Sequence, residues 1–152
     1  MPYKDTEKAR ESARLRYWKN PKKSNARNRA RRKEKPEWYQ EYHSRYKKEN
    51  PDIIRAARCR YNSKLRGSRG TFTTQQWVEL KRKFKNCCVC CRRSESTLNK
   101  LGLVLVIDHV IPIFLGGSTT IENLQPLCSG VGGCNRRKQV KTTDYRKTFP
   151  AS

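Results

Sequence analysis

Apolar side chains are scarce in this chain. Hydrophobic residues make up 34% of its 152 residues, and the mean hydropathy is −1.03. Because a folded domain needs a buried apolar core, this composition excludes a chain that fills a core of ordinary size along its whole length. Part of the chain is therefore expected to be extended or to depend on a partner for its order.

Acidic residues are few as well. The chain has 13 Asp and Glu against 36 Lys and Arg, which gives a net charge of +23. An excess of this size is typical of polyanion binders. The sequence has no apolar run long enough to span a bilayer, no secretory signal pattern and no lipidation motif. We therefore expect a basic nucleic-acid-binding protein in the cytoplasm, without a membrane partner.

The first 70 residues carry most of the excess charge and a regular spacing of proline. Pro21, Pro36 and Pro51 are 15 residues apart, and Asn precedes two of them. Because Asn suits the N-cap of a helix and Pro its first position, each proline is expected to open a helix. The predicted helices run near residues 5–19, 22–34, 37–49 and 52–66.

These four helices have almost no aliphatic residues with which to pack, so an ordinary helical bundle is excluded. Arg and Lys are instead interleaved with aromatic residues such as Trp38 and Tyr42. We interpret residues 1–70 as a basic helical arm that lies along a nucleic-acid backbone, where its cations release counterions. A solvated linker with marginal helicity is the alternative. The arginines chosen as backbone contacts are Arg27, Arg31, Arg45 and Arg58.

The segment after the arm begins with Gly67-Ser68-Arg69-Gly70, which is predicted to form a hinge. Thr73 and Gln76 then have the spacing of a capping box. The spacing predicts a helix from about residue 74 to residue 85, with Trp77, Leu80 and Phe84 on its core-facing side.

Most of the chemically informative residues lie between Leu103 and Lys138. The apolar run 103–107 predicts a buried strand that ends at Asp108 and His109. A loop with a proline and two glycines follows, residues 123–128 predict a second strand, and residues 135–138 can be helical. Strand, loop, strand and helix form a compact unit that could bring Asp108, His109, Asn123 and Asn135 together.

The order of these motifs resembles the HNH endonuclease family. Its ββα-metal module carries D-H, a loop with P and G-G, N-L-Q-x-L-C and C-N-x-x-K, all of which occur here between about residues 71 and 147. The resemblance implies an α+β fold, in which a zinc-stabilised ββα-metal domain over residues 71–152 follows the helical arm. It also implies hydrolysis of phosphodiester bonds in double-stranded DNA, leaving 5′ phosphate and 3′ hydroxyl ends.

Carried over by position, the resemblance assigns His109 as the general base and Asn123 as the residue that braces its loop. Histidine suits the first role because its unperturbed pKa lies near neutrality. Asp108 and Asn135 are implied as oxygen ligands of a catalytic Mg²⁺, for which Mn²⁺ is a substitute. Asn135 stands where the last His of the family's name is expected.

Six of the seven cysteines cluster near these motifs, which in a reducing compartment indicates metal ligation rather than disulfides. Four thiolates close a tetrahedral structural Zn²⁺ site. Cys128 and Cys134 are expected to join one pair from Cys87-Cys88-Val89-Cys90-Cys91. We choose Cys87 and Cys90, because Val89 then occupies the apolar position of the family pattern. Cys88 and Cys91 remain the alternative.

The resulting hypothesis is a metal-dependent HNH endonuclease acting as a monomer or weak dimer. Free-standing basic proteins of this kind resemble those encoded by phages and mobile elements, including homing enzymes, in bacterial cells. Two rivals remain: a zinc-containing DNA-binding protein without nuclease activity, and an RNA-binding or RNA-cleaving protein. Further candidate phosphate contacts at the start of the last helix are Arg136, Arg137 and Lys138.

Overall fold

The computed structural model describes residues 6–150 and divides the chain into two units, Met1–Glu49 and Asn50–Ser152. The sequence analysis placed the boundary at residue 70 instead. Residues 1–5 and 151–152, the outer ends of the two predicted domains, lie outside the described part. Within that part, no helix combines the length and the apolar character needed to cross a bilayer.

The first unit contains three helices of equal length, α1 (Thr6–Lys19), α2 (Pro21–Glu34) and α3 (Pro36–Glu49). Proline opens α2 and α3, as its spacing predicts. The Asn20 side chain caps α2 by accepting a hydrogen bond of 3.0 Å from the backbone N–H of Lys23. None of the described residues in this unit is buried, so its helices do not enclose a core of their own.

Aromatic contacts in the first unit follow the surface of α3. Trp38 stacks on Tyr42 with ring centroids 5.5 Å apart, and Tyr42 stacks on Tyr46 at 6.3 Å. These residues are four apart, which places them on one face of the helix. The Arg32 guanidinium of α2 lies 4.8 Å from the Tyr39 ring centroid. The helices are thus supported by local side-chain pairs.

The second unit is built on one antiparallel pair of strands, β1 (Val104–His109) and β2 (Leu124–Ser129). Asp108 lies opposite Gln125, and His109 lies opposite Leu124. Both strands lie within one residue or two of their predicted positions. The helices of this unit are α4 (Pro51–Leu65), α5 (Thr74–Lys83), α6 (Glu95–Lys100) and α7 (Cys134–Lys138). Short 3₁₀ turns occur at Ile113–Leu115, Ile121–Asn123 and Tyr145–Thr148.

Helix α5 begins as its sequence predicts. The Thr73 hydroxyl accepts from the Gln76 backbone N–H at 3.1 Å, while the Gln76 side chain accepts from the Thr73 N–H at 2.8 Å. Two apolar clusters then flank the strands. One contains Leu98, Leu105 and Leu127, and the other contains Ala56, Phe72, Trp77 and Leu124.

Helix α4 is fastened to α5 and α6 by a group of charged side chains. Lys81 of α5 is 5% exposed and lies 2.8 Å from the Asp52 carboxylate and 2.9 Å from that of Glu95. Arg55 reaches Glu95 at 3.1 Å, and the Trp77 indole N–H donates to Asp52 at 3.0 Å. Because Ala56 on the same helix is fully buried, α4 belongs to the second unit. The sequence analysis missed this contact because α4 has the composition of the arm.

We predict that Lys81→Ala destabilises the second unit by about 2–3 kcal/mol, since it removes the more buried of the two cations, Lys81 and Arg55, that bridge the Asp52 and Glu95 carboxylates. Lys83→Ala, on the exposed side of the same helix, is the matched control and is expected to change stability by less than about 0.5 kcal/mol. Urea unfolding followed by tryptophan fluorescence measures both. Equal midpoints for the two variants would show that the ion pairs do not hold α4 in place.

Candidate functional site

Asp108 occupies the end of β1 directly opposite Gln125 of β2. The Gln125 side-chain amide donates to Asp108 Oδ2 at 2.9 Å, and Lys138 Nζ lies 3.2 Å from the same oxygen. Burial raises the pKa of Asp108, while the hydrogen bond from Gln125 and the charge of Lys138 oppose the rise. Both of these side-chain donors bind the same oxygen, Oδ2.

Lys138 is 1% exposed and lies inside the site rather than on its surface. Besides Asp108, its ammonium donates to the backbone carbonyl of His109 at 2.8 Å. The phosphate contact expected of Lys138 stays a prediction, and in the described structure its ammonium is instead paired with Asp108 and the His109 carbonyl, which offsets the cost of burying its charge. Arg136 and Arg137 of the same helix are exposed, as are Arg27, Arg31, Arg45 and Arg58.

Asn123 closes the loop between the two strands. Its side-chain oxygen accepts from the Ile111 N–H at 2.9 Å, and its amide donates to the carbonyls of Ile111 at 3.0 Å and Ser118 at 2.8 Å. Gly117 lies inside this loop, where a Cβ would overlap the Ile111 carbonyl oxygen. Asn123 thus joins Ile111 to Ser118 across the loop, while its expected effect on His109 stays a prediction.

His109 is the last residue of β1, and one nitrogen of its ring has a hydrogen-bond partner. Its Nε2 lies 3.1 Å from the hydroxyl of Thr119, a residue that is 1% exposed. Burial, together with repulsion from Lys138 and Arg66, lowers the pKa of His109 to about 4. The imidazole is therefore neutral at pH 7 in the metal-free chain, which is the form that accepts a proton.

One cleft of about 560 Å³ is lined by the predicted general base and by the two predicted ligands of the catalytic Mg²⁺. Asp108, His109 and Asn135 all line it, and Arg66 lies on its wall. A second groove shares Arg66, His109 and Asn135 with this cleft and continues along α4. The strand end and the start of α7 therefore meet, as the order of motifs predicts.

A separate cluster of cysteine side chains lies at the other end of the strands. The sulfur atoms of Cys88, Cys91, Cys128 and Cys134 all lie within 4.8 Å of one another. A tetrahedral zinc site with Zn–S bonds of about 2.3 Å needs sulfurs about 3.8 Å apart, and Cys91 and Cys128 are separated by 3.9 Å. These residues could bind zinc without a large rearrangement.

The pair that joins Cys128 and Cys134 is Cys88 with Cys91, and the choice of Cys87 with Cys90 is not supported. The Arg92 N–H donates to the Cys88 carbonyl at 2.8 Å, and Arg92 has a φ of 61°. This tight turn brings residues 88 and 91 together. The Cys87 thiol instead donates to the Lys85 carbonyl at 3.3 Å.

The thiols of the cysteine cluster differ in pKa because their surroundings differ. Burial raises the pKa of the Cys88 thiol well above its usual range. Burial acts in the same direction on Cys134, but hydrogen bonds led by that from Arg137 lower its pKa to about 7. The Arg137 guanidinium lies 3.1 Å from this sulfur. Arg137 therefore supports the cluster with its charge.

The sequence analysis missed Gln125, Thr119 and Arg66 as residues of the site. Gln125 could have been found by pairing the two predicted strands, since Asp108 then needs a partner on β2. Thr119 lies in a loop and Arg66 at the end of a distant helix, so no local pattern predicts their contacts.

The second unit combines a two-stranded antiparallel sheet and a short following helix with a cleft lined by Asp, His and Asn and with a four-cysteine cluster. Residues 87–141 match the family model described as HNH endonuclease. The chain therefore carries an HNH endonuclease domain in these residues, within the range 71–147 that the motifs predicted. No curated protein and no solved structure matches the chain.

We predict that the purified chain carries zinc and that Cys88→Ser and Cys91→Ser each lose it, together with cooperative unfolding, because metal binding contributes to folding in such sites. Cys87→Ser is the matched control, with the metal retained. Elemental analysis and thermal melts measure the outcome. Zinc lost from the Cys87 variant but kept by the Cys88 variant would restore the pair chosen from the sequence.

Proposed function

We propose that this protein is a metal-dependent endonuclease that hydrolyses phosphodiester bonds of double-stranded DNA. Nuclease activity in general follows from the HNH domain at residues 87–141. The observation that carries the finer proposal is the shared cleft of Asp108, His109 and Asn135. One neutral imidazole and two oxygen-bearing side chains are the groups that activating a water next to a bound cation requires.

In the proposed reaction, His109 takes the proton of the attacking water. Asn123 acts indirectly, because its three hydrogen bonds hold the loop that follows His109. Gln125 and Lys138 hold the Asp108 carboxylate by Oδ2, and Oδ1 is the oxygen that we assign to the metal. The same Lys138 ammonium fixes the His109 carbonyl, which links the positions of the two residues.

The donors in the cleft fit a hard divalent cation. A carboxylate oxygen of Asp108 and the amide oxygen of Asn135 would hold Mg²⁺ or Mn²⁺, since oxygen ligands suit these ions. When bound, the ion supplies Lewis-acid stabilisation of the negative charge that develops on the phosphate. Zn²⁺ is assigned to the separate cluster of Cys88, Cys91, Cys128 and Cys134, where it stabilises the fold.

A basic groove along α4 supports DNA as the substrate. Arg58, Asn62 and Arg66 follow one another at intervals of four residues, and all three line the groove that reaches His109 and Asn135. Eight residues of helix span about 12 Å, whereas the phosphates of one strand are spaced about 3.4 Å along the duplex axis. The row is thus long enough to reach more than one phosphate.

The basic helices of the first unit are proposed to add backbone contacts through exposed residues such as Arg27, Arg31 and Arg45. Such contacts carry little sequence information and are sensitive to salt. The alternative is a zinc-containing DNA-binding protein without nuclease activity. The cleft favours the enzyme, because a protein that only binds DNA has no need of a neutral, half-buried His beside Asp108.

We predict that the protein nicks supercoiled plasmid in the presence of Mg²⁺ and not in EDTA. His109→Ala is expected to lower the rate by about 10²–10⁴-fold, which is the usual contribution of a general base. Agarose gels of the time course give the rate. His43→Ala, at the other histidine of the chain, is the control and should retain the activity.

A plasmid that the wild-type protein binds but never nicks would favour the DNA-binding alternative. Undiminished nicking by His109→Ala would remove His109 from the role of base while leaving the nuclease itself in place. Matched RNA and DNA duplexes distinguish the third candidate, since preferred cleavage of RNA would overturn the choice of substrate.

We predict that Arg66→Ala weakens binding of a short DNA duplex in EDTA and reduces the slope of log Kd against log salt by about one phosphate contact. Lys64→Ala removes the same charge from the same helix at an exposed position outside both grooves. Fluorescence anisotropy at several salt concentrations compares the two. Equal slopes for both variants would exclude a specific phosphate contact at Arg66.

A further inference from the structure

Three hydroxyl and imidazole groups form a continuous hydrogen-bonded chain behind the cleft. His109 Nε2 lies 3.1 Å from Thr119 Oγ1, and Thr119 Oγ1 lies 2.7 Å from Ser68 Oγ. Ser68 Oγ in turn donates to the Gly117 carbonyl at 3.0 Å. Neither Thr119 nor Ser68 belongs to the motifs quoted for the family, and Ser68 lies outside the matched residues 87–141.

The segment that carries Ser68 is held in place, although its glycines predicted a hinge. The Arg69 carbonyl accepts from the Thr119 N–H at 2.7 Å, so backbone and side chains both join this segment to the loop of residues 117–119. Gly117 and Thr119 are buried. Water is therefore not a ready partner of the Gly117 carbonyl or the Thr119 hydroxyl, whereas Ser68 is half-buried.

The direction of the chain follows from counting hydrogens. A hydroxyl group donates one hydrogen, and a carbonyl oxygen only accepts. Ser68 is the donor to the Gly117 carbonyl within the described part of the chain, and leaving a buried carbonyl unpaired is unfavourable. When Ser68 donates to Gly117, Thr119 must donate to Ser68. The Thr119 oxygen can then only accept from His109, which requires a hydrogen on Nε2.

We propose that Thr119, supported by Ser68, is a positioning residue that fixes the Nε2–H tautomer of His109 and leaves the lone pair of Nδ1 for the attacking water. The proposal rests on the proposed role of His109 as base and adds the atom that acts. The hydrogen bond made by one ring nitrogen decides which role the other can play. Thr119 touches neither substrate nor metal in this account and acts only through the ring.

A direct test reads the tautomer without any activity. The chain has two histidines, so long-range ¹H–¹⁵N spectra of the metal-free protein above pH 7 contain two ring systems, and a His43→Gln variant assigns them. We expect His109 to be protonated at Nε2 and unprotonated at Nδ1. A His109 ring protonated at Nδ1 would overturn the proposal, whether or not the protein proves to be a nuclease.

The kinetic test uses substitutions of closely similar shape. Thr119→Val removes the hydroxyl and is expected to lower kcat by about 10–100-fold, as is usual for groups that orient a reacting residue, with KM unchanged. Thr119→Ser keeps the hydroxyl and should restore most of kcat. Thr120→Val is the matched control, since the Thr120 hydroxyl contacts Ser118 at 3.1 Å and does not reach His109.

Ser68→Ala provides a second variant in case Thr119→Val does not fold. It leaves Thr119 intact but removes the acceptor of its hydrogen, so kcat should fall in the same direction and by less. Thermal melts and DNA binding in EDTA, both expected to match the wild type, separate positioning from loss of structure. If the wild type is active and a folded Thr119→Val or Ser68→Ala variant keeps its full kcat, the positioning role of Thr119 and Ser68 is refuted. The nuclease assignment would then remain intact.

Discussion

The pairing of Asp108 with Gln125 across the two strands is the contact on which the rest of the site depends. The Gln125 amide donates to Asp108 and to the Thr143 carbonyl, and its oxygen accepts from the Tyr145 N–H. A single buried side chain thus joins β1, β2 and the C-terminal segment. Side chains alternate between the faces of a strand, so a slip of one residue would turn Asp108 away from this partner. The antiparallel register of the two strands therefore determines the geometry of the site.

Buried polar groups replace much of the apolar packing that this composition cannot supply. Lys81 joins two carboxylates between α4, α5 and α6, and Lys138 joins Asp108 to the His109 carbonyl. No buried side-chain nitrogen or oxygen in the described residues lacks a hydrogen-bond partner. Because such networks are favourable only when every member is satisfied, they constrain the geometry more narrowly than an apolar core does. That constraint applies to His109, whose carbonyl accepts from Lys138 and whose ring contacts Thr119.

The parts of the fold with a local signal could be predicted from the sequence. The strands, the capping box of Thr73 and Gln76 and the helices opened by Pro21 and Pro36 depend on residues close to one another in the chain. The selection of Cys88 and Cys91 over their neighbours could not be predicted, because two overlapping pairs have the same spacing and only the turn at Arg92 separates them. The contact between Thr119 and His109 also lacks a sequence signature, since it depends on how the loop closes over Asn123.

The docking of α4 also decides where the folded domain starts. Composition places a boundary near Gly70. A protein that began there would lack Asp52, which contacts Trp77 and Lys81, and would also lack Ser68, which contacts Thr119 behind His109. The compact unit that contains these contacts and the cleft begins at Asn50. A helix as basic as the arm before it is thus also a wall of the domain, and recombination or truncation within it would disturb the packing of the second unit.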